Sequence, residues 1–293
     1  MRKPIDRRSR PKTPVRPEPD DKSERTSSVQ SVDRALSVLE VLGEDEEGYR
    51  LTDLATRTGL SPSTIHRLLT ALEQRRFVQF DQSDGMWHVG RRTFAVGSAF
   101  VRRRNFVAPA LPILRRLRDQ TRETANLAII DEGEVVFLTQ VESREIMRAI
   151  TRSGGSVPMV TSGVGKVIMA TYSDEDVAAI VQRYGMRRMT PKSLTRASEL
   201  REVLRRIRRD GYGIDDEEYM MGLRCVSAPI YDAQGEALAA ISISGLTSRM
   251  TDDRLERLGR LVRDAAHELT EALGGITPLF PGDEVSTAPS AFA

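Results

Sequence analysis

Apolar positions first fall into a regular pattern at Val29. The stretch VQSVDRALSVLEVLGE sets Val32, Leu36, Leu39 and Leu42 at helical spacing, with Val38 and Val41 beside them, and Gly43 ends it. TDLATRTG predicts a second helix with Thr52 as N-cap, Leu54 and Ala55 inward, and Gly59 in the left-handed turn conformation. In LSPSTIHRLLTALEQRRF, Ser61 is the expected N-cap, and Pro62 takes the first helical position, where a missing N–H is no loss. Ile65, Leu68, Leu69 and Leu72 form its inward stripe at i, i+3, i+4 and i+7. Two short helices joined by a glycine turn read as helix-turn-helix. FVQFDQSDGMWHVG then alternates as two strands, Phe77–Phe80 and Met86–Val89, about a Ser-Asp-Gly turn, with Trp87 as packing. A hairpin in that position is the wing of a winged helix. Residues 92–105 predict a linker helix, and PALPILRRLRDQTRET a further amphipathic one.

Beyond Thr124 the period shifts toward two. Leu127–Ile130 and Val135–Val141 flank an Asp-Glu-Gly turn, and IMRAITR, from Ile146, is expected as another strand. VPMVTSGVGKVIMA turns through small residues into a helix. Helices are predicted over 174–184 and 198–210, strands within GYGIDDEEYMMGLRCVSAPIYD and ALAAISISG, and a last helix from about 251 to 274. Mostly antiparallel strands with interspersed helices make this half an α+β domain with room for a small pocket.

Composition narrows the functional classes. The 293 residues suit two domains. Cys225 is the only cysteine, which excludes an internal disulfide and a cysteine-based zinc site. His66, His88 and His267 lack metal-ligand spacing, so neither a metal nor a cofactor is expected. No apolar run is long enough for a membrane span, and the basic N-terminus lacks the apolar core of a secretory signal, so a cytoplasmic protein is expected. Net charge is only +2, from 44 Lys+Arg and 42 Asp+Glu. Residues 1–28 carry nine of the basic and five of the acidic residues, in a proline-rich stretch expected to be a disordered basic tail. The remainder is slightly acidic, so any DNA contact must come from a local patch.

That patch is expected on the helix beginning at Ser61. Its polar face shows Ser63, Thr64, His66 and Arg67 near the N-terminal end, the part of a recognition helix that meets base edges. Arg67 suits a bidentate contact to guanine, and Ser61, Ser63 and Thr64 suit phosphates or bases. Arg91 and Arg92, after the wing, suit flanking phosphates. In the second half, Ser162-Gly163-Val164-Gly165-Lys166 is not a Walker loop, because Val160 and Val167 stand where Gly and Ser/Thr are required. It remains either a plain helix start or a turn whose N–H groups hold a small anion. Asp215 heads the acidic run Asp216, Glu217 and Glu218, which reads as a solvated loop with room for one inward member. Cys225 reads as a small buried residue. Ser242 and Ser244, two apart on an apolar strand, face one side and need partners.

The order and wording of these segments resemble the IclR family of bacterial transcriptional regulators, from Val29 to about Ile276. VQSVDRALSVLEVL, LTDLATRTGLSPSTIHRLLTALEQRRFV, VPMVTSGVGKVIMA, GYGIDDEEYMMGLRCVSAPIYD and AAISISG carry the likeness. DDEEYMMGLRCVSAPIYD with AAISISGLTSRMTDDR is most similar to the glyoxylate-responsive, acetate-operon-repressor-like branch. The resemblance implies a winged helix-turn-helix domain (29–91), a linker helix (92–105), a GAF-like α/β effector domain (106–276) and a flexible tail (277–293). It also implies homodimers or dimers of dimers on palindromic double-stranded operators. It places a small 2-oxo acid, glyoxylate first, against Gly163, Val164, Gly165, Asp215, Leu223, Cys225, Ser242 and Ser244. Ile146, Ala149 and Val157 are the implied far wall. Val164 departs from the alanine of the glyoxylate-sensing relative, which narrows the mouth and leaves the exact acid open. In that picture Asp215 accepts from the hydrated aldehyde. Two alternatives stand beside it. One is a family member sensing an aromatic or other carboxylic acid. The other is a small-acid enzyme using Cys225 or Asp215, disfavoured because neither has a visible base or nucleophile partner.

Overall fold

The second helix of the helix-turn-helix starts where Ser61 lets it. In the computed structural model, which describes residues 30–102, 106–149 and 153–278, the Ser61 hydroxyl accepts from the Thr64 N–H at 3.3 Å, with Pro62 next. The tail expected over 1–28 and most of that over 277–293 lie outside the described residues. The chain divides into two compact units, one ending at Ala99 and the other beginning at Phe100.

The first unit holds α1 (Gln30–Leu42), α2 (Leu51–Thr58), α3 (Pro62–Gln74), the strands β1 (Val78–Asp81) and β2 (Met86–Val89), and the start of α4 (Arg91–Arg102). Thr52 is not the N-cap of α2. Arg50 is, because the Asp53 carboxylate one turn on accepts the Arg50 N–H at 3.3 Å and Thr52 falls inside the helix. Gly59 closes α2 at φ 67°, the left-handed conformation expected of it. Val38, Leu42, Leu54, Ile65, Leu69 and Val78 make the core. Trp87 completes it, packing against Phe80 with ring centres 5.0 Å apart and exchanging both backbone hydrogen bonds with Tyr49. The wing is thereby pinned to the loop before α2.

The second unit runs α5 (Val107–Thr121), β3 (Thr124–Asp131), β4 (Glu134–Val141), β5 (Ser156–Pro158), α6 (Gly163–Met169), α7 (Asp174–Tyr184), α8 (Ala197–Asp210), β6 (Gly213–Asp216), β7 (Leu223–Tyr231), β8 (Ala237–Leu246) and α9 (Asp252–Ala272). The strands form one antiparallel sheet in the order β5-β4-β3-β8-β7-β6. The predicted strand at Ile146 does not form among the described residues. The edge of β4 is taken instead by β5, with Val135 opposite Val157, while Arg148 is drawn to the Glu142 carboxylate at 3.0 Å.

Alternation gives the sheet two unlike faces. Leu127, Ile129, Val226, Ala228, Ile230, Ile241 and Ile243 bury one face under α5 and α9, through Leu114, Leu117, Leu258, Val262 and Leu269. The other face is covered by α6, whose start lies close to the sheet because Gly163 has no side chain: a Cβ there would stand 2.9 Å from the Ser227 hydroxyl. Gly165 serves the turn into α6, since a Cβ there would stand 2.0 Å from the Met159 carbonyl oxygen. Gly165→Ala is therefore expected to destabilise the second unit by about 1–3 kcal/mol, the usual range for overpacking. An unchanged calorimetric melting temperature would show that the turn has slack.

Candidate functional site

Two regions bring the sequence-predicted residues together, one in each unit. On α3, Ile65 and Leu69 are buried, whereas Ser63, His66 and Arg67 are exposed along one outward face that Thr70 and Gln74 continue. Ser61 is exposed but committed. Beyond its cap bond, its hydroxyl lies 3.1 Å from that of Ser63 and 2.9 Å from that of Thr64, so the three share one small network at the helix start. Arg67 has no carboxylate partner among the described residues. Arg91 and Arg92 are exposed at the start of α4. The wing turn brings ligand atoms of Asp81, Asp84 and His88 within 4.8 Å of one another. These carboxylates shape the turn: Asp81 accepts from the N–H and hydroxyl of Ser83, and Asp84 from the Met86 N–H.

In the second unit, strand register builds a polar stripe on the face beneath α6. Asp215, Cys225, Ser244 and Thr124 stand opposite one another across β6, β7, β8 and β3. The adjacent row is Gly213, Ser227, Ser242 and Asn126. Ser242 and Asn126 are wholly buried, and Ser244 nearly so. The Asn126 amide nitrogen donates to both serine hydroxyls, at 3.3 and 3.2 Å, while its Oδ1 is buried with no partner among the described residues. Over this stripe lies the start of α6. Its first N–H groups, at Gly163, Val164 and Gly165, precede the helix ladder and have no intrahelical carbonyl to bond. A Cβ on Gly163 would meet the Cys225 sulfur and the Asp215 N–H at 3.5 Å, so these groups share one spot. Leu223 is partly buried two residues before Cys225, on the same side of β7.

The acidic run after β6 disperses rather than clusters. Asp216 pairs with Arg224 at 2.6 Å and Lys192 at 3.2 Å, and Glu217 also pairs with Lys192. Glu218 turns inward onto Lys166, whose ammonium is fully buried and also donates to the Ile214 carbonyl at 2.7 Å. The second oxygen of Glu218 is buried with no partner among the described residues. Asp215 also points inward, and its Oδ1 accepts the N–H groups of Glu218 and Tyr219 at 2.7 and 3.4 Å. Burial pushes its carboxyl up to about 7. Lys166 pulls the value down, and the neighbouring Glu218 pushes it up. Burial, with Asp215 adding to it, pushes the Cys225 thiol up to about 11, against the pull of the Ser244 and Ser242 hydroxyls. A thiol held protonated in this way is the opposite of a catalytic thiolate.

Comparison with known proteins decides the family. Residues 31–82 match the IclR helix-turn-helix domain and residues 98–271 the bacterial transcriptional regulator IclR C-terminal domain. The chain belongs to the IclR family of bacterial transcriptional regulators. It is 42% identical to the acetate operon repressor of Salmonella typhimurium (strain LT2), over 85% of this chain and 92% of that protein. It is also 42% identical to the transcriptional repressor IclR of Escherichia coli K12, over 86% and 92% of the two chains. Among solved structures, the Thermotoga maritima IclR superposes with a TM-score of 0.72 at 26% identity, covering 84% of this chain and all of that one. These relatives are repressors, not enzymes, and the α+β architecture with an N-terminal helix-turn-helix is that of IclR structures. No described helix is long and apolar enough to cross a membrane.

Within this IclR-family chain the far wall is not assembled as expected. Ile146 is 96% exposed, because the strand that was to carry it inward does not form. Ala149 does border the stripe, its carbonyl accepting from the Thr124 hydroxyl at 2.8 Å. Val157 and Val164 are buried in the apolar cluster around α6 rather than at an opening. Sequence reasoning missed Asn126, Thr124, Ser227 and the Lys166–Glu218 pair. The first three were visible only as polar residues at alternate strand positions, and pairing register was needed to stack them. Removing one partner of the ion pair strands a charge in the core, so Lys166→Met should cost about 3–5 kcal/mol in urea unfolding. Combining it with Glu218→Leu should recover most of that loss; a double variant as unstable as the single one would mean that packing, not charge, holds α6 here.

Proposed function

We propose that this protein is a sequence-specific, operator-binding regulator whose DNA affinity is set by a small 2-oxo acid, glyoxylate first, in the control of glyoxylate and two-carbon metabolism genes. The observation that carries it is the buried stripe. Serine hydroxyls, an asparagine amide with an idle oxygen and a raised carboxyl lie together on a face otherwise packed with apolar groups. A buried acceptor without a partner is costly, and a small ligand that can donate to it, as the gem-diol of hydrated glyoxylate can, relieves that cost. The name of the 42% identical acetate operon repressor supports the two-carbon assignment. In this reading the effector carboxylate takes the open N–H groups of α6 and the hydroxyls of Ser242 and Ser244. Arg67, His66, Ser63 and Thr64 read the operator, Arg91 and Arg92 hold its backbone, and the protein works in the cytoplasm. A homodimer, alone or paired with a second, sets two recognition helices about 34 Å apart on a palindrome.

Titrating glyoxylate, pyruvate and an aromatic acid into an operator gel shift at fixed salt tests the proposal. Glyoxylate should act at the lowest concentration, and response to the aromatic acid alone would move the assignment to that ligand class. Ser242→Ala should weaken the effector response about tenfold, the value of one or two hydrogen bonds, with unliganded operator affinity unchanged. Equal loss of both would sink the pocket assignment.

The raised carboxyl of Asp215 changes the polarity expected of it. Below pH 7 it is protonated and can donate to an anionic ligand; above pH 7 it is ionised and repels one. Binding then takes up a proton, so effector affinity should fall above pH 7 by up to about tenfold per pH unit. Calorimetry across pH 6 to 8 in buffers of different ionisation enthalpy measures this directly. Asp215→Asn should flatten the profile, and affinity rising with pH would show that the ionised carboxylate is the binding form.

A further inference from the structure

Arg75, Arg76, Arg91 and Arg92 converge on one surface groove at the root of the wing, which Gln74 and Phe77 complete. All four are exposed, no carboxylate lines the groove, and none of the four has an ion-pair partner among the described residues. Arg57 in the same unit, by contrast, is paired with Glu44 at 3.0 Å. The backbone holds this corner rigidly. The Arg92 N–H donates to the Arg76 carbonyl at 2.9 Å, and the Gly90 N–H to the Phe77 carbonyl at 2.7 Å. A Cβ on Gly90 would come within 2.5 Å of the Arg76 oxygen. Arg76 itself has φ 63°, the left-handed conformation that the unit fills with glycine at Gly48, Gly59 and Gly85. The left-handed turn at Arg76 ends α3, as the one at Arg122 ends α5, and what sets this corner apart is the gathering of four like charges with no carboxylate lining the groove.

We propose that these four arginines are a cradle for backbone phosphates of duplex DNA, separate from the base-reading start of α3. The assignment rests on the DNA-binding reading above. Geometry favours DNA over a small anion. The 13 residues of α3 rise about 20 Å, more than the roughly 12 Å width of the major groove. With Ser63 and Arg67 at base edges, the far end at Gln74 and Arg75 therefore reaches the phosphate wall. Arg75 and Arg76 join Arg91 and Arg92 there, and together they draw the negative strand into the groove.

Fluorescence anisotropy of the full chain tests this, using a duplex from upstream of its own coding sequence and a scrambled duplex of equal composition, across a salt series. Arg75→Gln and Arg76→Gly should each weaken binding to both duplexes by a similar factor, about 5- to 20-fold at low salt. Each should also lower the slope of log K against log salt by about one. Arg76→Gly should at the same time leave the melting temperature equal or higher, because glycine suits the backbone there; a merely structural arginine would not separate binding from stability in this direction. If that variant proves unstable, Arg75→Gln and Arg92→Gln carry the same slope test. Arg67→Ala serves as contrast, narrowing the gap between the two duplexes. Wild-type slopes in the cradle variants would overturn the cradle while leaving DNA binding intact. A wild-type chain that retains neither duplex would overturn both.

Discussion

The second unit depends on a lysine taken out of water. Lys166 is among the largest fully buried side chains of the protein, and an ammonium in such a place costs several kcal/mol unless its hydrogens are met. Glu218 and the Ile214 carbonyl meet them, and both belong to the segment that begins in β6. The pair therefore acts as a clasp between α6 and the edge of the sheet. It fixes the glycine turn on one side and Asp215 on the other, and it sets their charges. The nearby ammonium holds the Asp215 carboxyl from rising further, while Glu218 keeps it from falling. The anion site proposed above needs this balance. A bare lysine there would hold any anion, and a bare carboxylate pair would admit none.

Some of this was legible along the chain and some was not, for definite reasons. Ser61, Pro62 and Gly59 act through neighbours three residues away or fewer, so the helix-turn-helix could be read from spacing. The helices over 174–184 and 198–210 were readable from their apolar periodicity. Thr52 misled because cap preference was judged by residue type, whereas the reach of Asp53 back to Arg50 decided it. Ile146 misled because alternation predicts a strand only where an edge is open, and β5 holds that edge. Ser242 and Ser244 announced a polar face by their period of two. Asn126 and Ser227 lie one strand away on either side of Ser242, and nothing local tells which residues a strand will stand beside.

Charge shows the same contrast between sum and placement. The net value of +2 gives no hint of DNA binding, since most arginines of the second unit are matched by acids within salt-bridge distance. In the first unit the largest group of acids is the run at 44–47, before α2, while Arg67, Arg75, Arg76, Arg91 and Arg92, on and around α3, have no ion-pair partner among the described residues. A small set of free arginines on a nearly neutral body makes weak nonspecific attraction, so discrimination between sequences must rest more on base contacts.

The size of the effector constrains how such a protein can switch. Glyoxylate, the effector proposed above, has only a handful of non-hydrogen atoms, and even the best small ligands gain no more than about 1.5 kcal/mol per atom. That limits binding to about 7–9 kcal/mol, a dissociation constant near the micromolar range. Moving a two-state equilibrium from one-sided to the opposite takes about 5.5 kcal/mol of differential affinity. Most of the binding energy must therefore be expressed in one state only, and a pocket equally formed in both would bind without switching. The Asn126 oxygen in the stripe and the Glu218 oxygen beside it have no partner among the described residues. Both are acceptors, so in the proposed reading it is a donating form of the ligand, the gem-diol of hydrated glyoxylate, that can meet them and so favour one arrangement over another.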